Sequence, residues 1–502
     1  MKTALLTLCA LLAFTGCSHP PDPSTVVMLI ENSPTNLDPR VGTDAQSERI
    51  DELIFDALLR RDDHFNLLPA LAERWENPDP LTYIFHLQHG VKFHDGRPLT
   101  SKDVKWTLDS VLNGTIRTPK VAPFKAISSI EAPDETTVII RLKEANVSLL
   151  WNLSEGAIGI VPAGSGPEFN QHPIGSGPFR FVSQEQDKEV VLERDENYRG
   201  LKPAIARLRF AVVPDATTRI LELRKGSADL ALNAMTADAI RTIRKRGELV
   251  VQQAPGTIYY YLAMNLRDPI LKDAQVRRAL AYAIDREAMV KYLMGDQARL
   301  ADSILPPQHW AHFSGEDYVH DPAKARAILD KAGYRAGADG IRFHIVMKTS
   351  TEESTRLLSA ALQQQLHEVG IALDIRSFEF ATFFSDVTKG EFQLFSLRWI
   401  GGNEDPDIFE VFNSAKTPPK GSNRGFYRNP EVDALIAQGR TETDQAKRKQ
   451  IYDQVQKIIS SDLPYINLWW GDNVLVHSRR LADVELSPSG NYNFLTTAHL
   501  KH

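Results

Sequence analysis

The densest grouping of chemistry-bearing side chains is the acidic run Glu404-Asp405-Pro406-Asp407, which follows Trp399, Ile400, the pair Gly401-Gly402 and Asn403. Carboxylates beside an indole and two glycines suit ligand binding. The acids and the Asn403 amide offer hydrogen bonds, the ring offers a flat apolar wall, and glycine lets backbone approach a guest. The same acids read alternatively as a carboxylate pair for glycoside hydrolysis around Glu404 and Asp407, or as a solvated loop in which Asp407 caps the next helix. Arg398 and Arg424 are candidates for a carboxylate or phosphate on a ligand, or for plain surface residues. The sequence has no Gly-x-Ser-x-Gly elbow, His-Glu-x-x-His, Gly-x-x-x-x-Gly-Lys loop or Gly-x-Gly-x-x-Gly fingerprint, and Gly164-Ser165-Gly166 and Gly175-Ser176-Gly177 read as turns. His86 and His89 stand at odd spacing in a strand-like stretch and diverge, so no metal or cofactor is expected.

The apolar stretch from Phe392 to Ile400 reads as a buried strand that delivers Trp399 and the acids to its C-terminal end, where open α/β sheets place ligands. Upstream, Ile341, Phe343, Ile345 and Met347 alternate as a strand. Ser350 and Glu353 form a capping-box pattern, Leu358, Ala361, Leu362, Leu366 and Val369 share a helical face, Gly370 stops it, and Ile371, Leu373 and Ile375 alternate again. That strand-helix-strand unit predicts parallel pairing and a mixed α/β fold. A long helix is predicted from about Asp273 to Met294, ending at Gly295. Nearer the N-terminus, Thr25 opens a strand, and Ile50, Leu53, Ile54, Ala57 and Leu58 predict an amphipathic helix. Tyr83 to Leu87 predicts a strand that breaks at Gly90 and resumes over Val91 to Phe93, before a turn and a helix capped by Thr100 or Ser101.

A chain of 502 residues is long enough for two to four domains. With 58 Lys+Arg against 64 Asp+Glu and 42% hydrophobic residues, it has the balance of a soluble globular protein, without the basic surplus of a nucleic-acid binder. Its two cysteines are Cys9 and Cys17, so no disulfide, zinc cluster or catalytic thiol is available further on. Lys2, the apolar run Ala4 to Phe14 and the small pair Thr15-Gly16 read as a signal peptide. Phe14-Thr15-Gly16-Cys17 resembles the bacterial lipoprotein cleavage box, which implies a lipidated Cys17 holding the protein to a membrane, with residues 18–24 as a short tether.

Four blocks together resemble the extracytoplasmic solute-binding proteins of peptide and nickel ABC importers, family 5. They are Val91-Lys92-Phe93-His94-Asp95-Gly96-Arg97-Pro98-Leu99-Thr100-Ser101-Lys102-Asp103-Val104, Pro173-Ile174-Gly175-Ser176-Gly177-Pro178-Phe179, Val276-Arg277-Arg278-Ala279-Leu280-Ala281-Tyr282-Ala283-Ile284-Asp285-Arg286 and Trp399-Ile400-Gly401-Gly402-Asn403-Glu404-Asp405-Pro406. The resemblance implies a two-lobed periplasmic-binding-protein fold of type II with an extra N-terminal subdomain. Lobe I would use residues 25–66, 175–262 and 478–502, the insertion 67–174, and lobe II 263–477. It implies ligand contacts from the loop after Asp38-Pro39, from the strand Tyr259-Tyr260-Tyr261 running to Asn265, and from the Trp399 loop. Of the tyrosines, Tyr260 or Tyr261 is the candidate wall; strand alternation sends Tyr260 opposite to its neighbours. Peptide-binding relatives carry an aspartate three residues after this tryptophan to pair with a free α-ammonium. Here that position is Gly402, which leaves open whether Glu404 or Asp405 supplies the charge. The implied role is a monomeric receptor that hands a peptide-like or other small solute to a permease and ATPase complex without chemistry. A secreted hydrolase and a ligand sensor without transport are the alternatives.

Overall fold

A computed structural model describes residues 24–154, 156–400 and 405–501. Its backbone is organised by one eleven-stranded sheet and a separate four-stranded sheet. Along the large sheet the order is Ile371–Phe378, Phe343–Ser350, Leu394–Trp399, Val250–Met264, Tyr465–His477, Leu230–Leu232, Thr25–Ile30, Arg207–Val212, Glu189–Arg194 and Phe179–Glu185, with Ala298–Leu300 paired to the side of Tyr465–His477.

Thr25–Ile30 is buried along its whole length because it runs parallel between Arg207–Val212 and Leu230–Leu232. Alternation sends Val26, Met28 and Ile30 into one core and Val27 and Leu29 into another on the opposite face. These two cores form what we call the terminal body, because the end of the chain completes it: Leu481, Val484, Tyr492, Phe494, Leu495 and Ala498 all pack there. Tyr492 stacks on Phe210 with centroids 5.6 Å apart.

The four-stranded sheet, in the order Ala72–Asp79, Thr82–Leu87, Thr137–Leu142 and Ile127–Glu131, is antiparallel throughout. Tyr83, Phe85 and Leu87 point into its core, which also takes Val104, Leu108 and Val111 from the helix Ser101–Leu112. Thr100 and Asp103 make a reciprocal capping box at the start of that helix. The expected second strand over Val91 to Phe93 is absent. Gly90 turns the chain at φ +73°, and Val91 to Leu99 closes instead into a small loop through the Phe93 N–H to the Arg97 carbonyl and the Leu99 N–H to the Val91 carbonyl.

A central body fills residues from Tyr259 to Trp470, again with a core on each face of its sheet. Phe343–Ser350 and Ile371–Phe378 pair in parallel, Phe343 opposite Ile371, with the helix Glu353–His367 between them in sequence, as the alternation predicts. Ser350 does not cap that helix. It ends the preceding strand, and its hydroxyl accepts from the Glu352 N–H while Glu352 takes the cap position. The long helix predicted from Asp273 is two helices, Ala274–Ala283 and Arg286–Tyr292, because Ile284 is extended and the Asp285 carboxylate accepts from the Ala288 N–H to start the second. The helix Ala45–Ile54 is likewise shorter than its apolar spacing suggests: Phe55 is extended, and Ala57 and Leu58 lie beyond the helix on the way into the four-stranded body.

The terminal and central bodies are joined by two long strands. Val250–Met264 and Tyr465–His477 pair antiparallel from Val250 opposite His477 to Ala263 opposite Tyr465. Their register shifts between Ala254 and Ile258, at Pro255-Gly256, where proline lacks an N–H. Gly256 has a packing reason as well: a Cβ there would stand 2.4 Å from the Gly471 carbonyl oxygen.

Candidate functional site

A cavity of about 900 Å³ lies between the central body and the other two. Trp399, Ile400, Asp405, Asp407 and Arg440 line it from the central side, and Glu48, Arg49, Ser148, Trp151 and Gly156 from the opposite side. Thr43 and Ala45, in the loop after Asp38-Pro39 and at the start of the following helix, also reach it. Asp38 itself does not. It is 1% exposed and holds the buried Arg40 in a two-point ion pair, with Nε to Oδ1 at 2.9 Å and Nη2 to Oδ2 at 2.7 Å.

Trp399 is the last residue of its strand and pairs across to Tyr259. Period-two alternation then puts Tyr259, Tyr261 and Trp399 on one face and Tyr260 and Arg398 on the other. On the first face the rings form a rigid layer: Trp399 lies 6.4 Å from Tyr261 at 13°, and Tyr261 lies 4.4 Å from Tyr465 and 5.6 Å from Tyr259. Tyr261 is fully buried in this layer, and burial pushes its phenol up to about 12. It therefore backs the indole rather than meeting the cavity. On the second face, Tyr260 packs 5.7 Å from Trp469, and the Arg398 guanidinium lies 5.9 Å over Tyr260 and 3.7 Å from Glu352. Both sit across the sheet from Trp399, as alternation predicts for Tyr260, and neither is among the residues that line this cavity. Asn265 is also committed elsewhere. Its Nδ2 donates to the carbonyls of Phe392 at 2.9 Å and Gly390 at 3.1 Å, so the side chain ties two loops together. Arg424 stays near the site: its guanidinium is 5.4 Å from Trp399 and 5.1 Å from Phe384, clamped between the two rings.

Asp405, not Asp407, caps the turn Pro406–Phe412, accepting from the Asp407 N–H at 3.3 Å. Its carboxylate also meets Arg448 at two points, 2.8 and 3.2 Å. Arg448 is 1% exposed. Burial pulls its pKa down, but Asp405, Tyr452 and Asp407 outweigh that and hold the guanidinium charge above its ordinary value. Asp407 lies within 3.6 Å of Arg440 and 3.9 Å of Arg448, yet burial, with Asp405 beside it, pushes its carboxyl up to about 6. Glu410 faces Arg440 and Lys416, each at 3.7 Å. Each of these three acids on the central wall thus already faces a cation. Gly402, Asn403 and Glu404 lie outside the described residues, as does Cys17.

Glu48, Arg49, Trp151, Arg440 and Arg448 were not singled out by sequence reasoning. Arg448 had a signal: it sits at helical spacing with Ile451, Tyr452 and Val455 on the buried face of Gln445–Asp462, and a charge on an apolar stripe demands a partner. The others are ordinary charged or aromatic residues in chain order, and only the topology brings them together.

A mixed α/β molecule whose bodies face each other across a cavity, linked by a pair of crossing strands and walled by an indole and paired charges, is a two-lobed binding protein. Residues 66–418 match the family described as bacterial extracellular solute-binding proteins, family 5 Middle, and the chain belongs to that family. A Brucella ovis protein named as an ABC transporter peptide-binding protein is 31% identical over 87% of this chain and 85% of its own length. The glutathione-binding protein GsiB of Pectobacterium atrosepticum is 30% identical over 93% of each chain. Among solved structures, NikZ from Campylobacter jejuni in complex with Ni(L-His) aligns with a TM-score of 0.78 at 26% identity, covering 95% of this chain and 99% of that one. The family is one of extracytoplasmic binding proteins, and this chain is a solute-binding protein of the ABC-importer type.

Proposed function

We propose that this protein captures a short peptide or a peptide-like solute in the cavity beside Trp399 and releases it to a membrane permease, with Cys17 as the lipid anchor. Lobe I would comprise residues 25–66, 175–262 and 478–502, lobe II 263–477, and the inserted subdomain 67–174. The observation that carries the reading is the cavity itself. At about 900 Å³ it is at the upper end of small-molecule sites, and it is walled from both sides. Relatives named for peptide and glutathione binding support the same ligand class.

A guest touching both walls binds the closed arrangement better and shifts the population toward it. Trp399, backed by Tyr261 and Tyr465, supplies a stacking surface that costs little ordering, because the aromatic layer is already packed. Asp405, Asp407 and Glu410 already face cations, so this wall favours the backbone amides and side chains of a peptide over its free ammonium.

The test is thermal stabilisation by glutathione and by a panel of dipeptides and tripeptides, each with a free and an acetylated N-terminus. A binder at a hundred times its Kd should stabilise the fold by about 2.7 kcal/mol. Acetylated and free forms should bind alike, and Trp399→Ala should abolish the shift while leaving the unliganded fold intact. Full stabilisation of Trp399→Ala would remove the indole from the site, and no stabilisation by any member of the panel would remove the peptide class.

A further inference from the structure

The crossing strands hold one end of the cavity; the other end is closed by side chains. There, residues on the four-stranded side meet the central body through several independent contacts. The Val147 N–H donates to the Arg440 carbonyl at 3.1 Å, and Arg448 Nη2 donates to Ser148 Oγ at 3.3 Å. Trp151 stacks on Trp310 at 6.2 Å and 30°. The Arg448 guanidinium lies 4.9 Å from the Trp151 ring and 5.6 Å from Trp310, wedged between indoles from the two bodies. Beside them, the backbone N–H of Trp310 donates to the His64 carbonyl at 3.2 Å, Phe65 stacks on His309 at 5.4 Å, and Gln445 Nε2 donates to Asn66 Oδ1 at 2.9 Å.

Arg448 makes two kinds of contact. Those with its own body, the ion pair to Asp405 and the bond from Nε to the Gly439 carbonyl at 2.9 Å, do not depend on the two sides meeting. Its contacts with Ser148 and Trp151 do. Separation of the bodies therefore leaves its charge paired and removes only one hydroxyl and one ring face, the condition for a contact that can be made and broken repeatedly. Asp405 closes the circuit, since it lies a few residues beyond Trp399 and lines the same cavity.

We propose that Ser148 and Trp151 on one wall and Arg448 on the other form a single latch, through which the position of the Asp405 carboxylate is coupled to closure of the cavity. The proposal rests on the two-walled binding reading above and assigns Arg448 as a positioning residue, one that acts on the cavity wall through Asp405.

Small-angle X-ray scattering of the purified chain without ligand tests it. Trp151→Ala and Arg448→Lys alter opposite walls. Lysine keeps a charge for Asp405 but loses the planar face and the fork. Each variant should lower the closed-to-open ratio roughly tenfold, visible as a larger radius of gyration, with unchanged circular dichroism. The double variant should be no more open than the more open single variant, because a latch broken from either side is already broken. Scattering curves that superimpose on the parent overturn the proposal, and so does additive opening in the double variant. Ser148→Ala, which removes one hydroxyl and no packing, replaces Trp151→Ala if that variant fails to fold, and should open the chain in the same direction by less. Because no ligand enters the measurement, a failed latch leaves the peptide panel above untouched, and a failed peptide panel leaves the scattering result standing.

Discussion

The two ends of the cavity join the same bodies by different physics. At one end, Val250–Met264 and Tyr465–His477 share a ladder of backbone hydrogen bonds whose register shifts at Pro255-Gly256 and again between Tyr260 and Tyr261. At the other, indoles, a guanidinium and a few polar contacts meet across a gap between separately folded cores. Backbone ladders are specified by chain geometry and are costly to unpair, whereas an edge contact between finished cores is worth little to either core. A substitution at the first end should therefore reach the stability of the whole molecule, and one at the second should reach mainly the arrangement of its parts.

The largest expected effect follows from Gly256. A methyl group there meets the Gly471 carbonyl oxygen at 2.4 Å, a backbone atom that cannot rotate away. Gly256→Ala should cost about 2–4 kcal/mol in urea denaturation. A loss under about 0.5 kcal/mol would mean the crossing is as forgiving as the side-chain end.

A smaller effect belongs to His309, stacked between Phe65 and the Trp310 side of the latch. Burial holds its imidazole down to about 3 from the ordinary 6.5. The native state refuses a proton that the unfolded chain accepts below pH 6.5, so this contribution is fully present above pH 6.5 and is lost as pH falls toward 3. By pH 5 the loss should be about 2 kcal/mol. Asp407 works in reverse, because its raised carboxyl gains stability as pH falls through about 6. Urea curves at pH 7 and pH 5 for the parent and for His309→Gln separate the two: the variant should lack the histidine part of the slope. Parallel slopes would place His309 in a wetter setting than its burial indicates. The smallest effect is that of Gln445→Ala, which removes one exposed hydrogen bond to Asn66 and should change stability by less than about 0.5 kcal/mol.

Much of the fold was legible because periodicity is local. The strands at 343–350 and 371–378, the helix start at Thr100 and the strand into Trp399, buried in its first half only, follow from alternation and capping chemistry. The errors sit where a single residue overrides a long pattern. Ile284 breaks a helix that its neighbours would continue, and Gly90 turns a strand into a loop. The candidate site was legible only along the chain. Alternation correctly divided Tyr260 from Tyr259 and Tyr261, but it does not say which face meets a cavity; Tyr261 shares the face of Trp399 and is buried beneath it. Partners far apart in sequence, such as Asp405 with Arg448 or Trp151 with Trp310, depend on how separate bodies dock.

The last segment of the chain has a consequence for synthesis. Tyr492, Phe494, Leu495 and Ala498 complete a core begun by Val26, Met28 and Ile30, and Arg480 reaches back to the Thr25 carbonyl at 2.7 Å. While a ribosome is still adding the C-terminus, the N-terminal strand has no finished hydrophobic surface to bury itself in. The uninterrupted middle of the polypeptide can condense earlier. Nascent molecules thus keep their beginning loose until their end arrives, and loss of the final two dozen residues should leave the first-made part of the protein exposed to proteases.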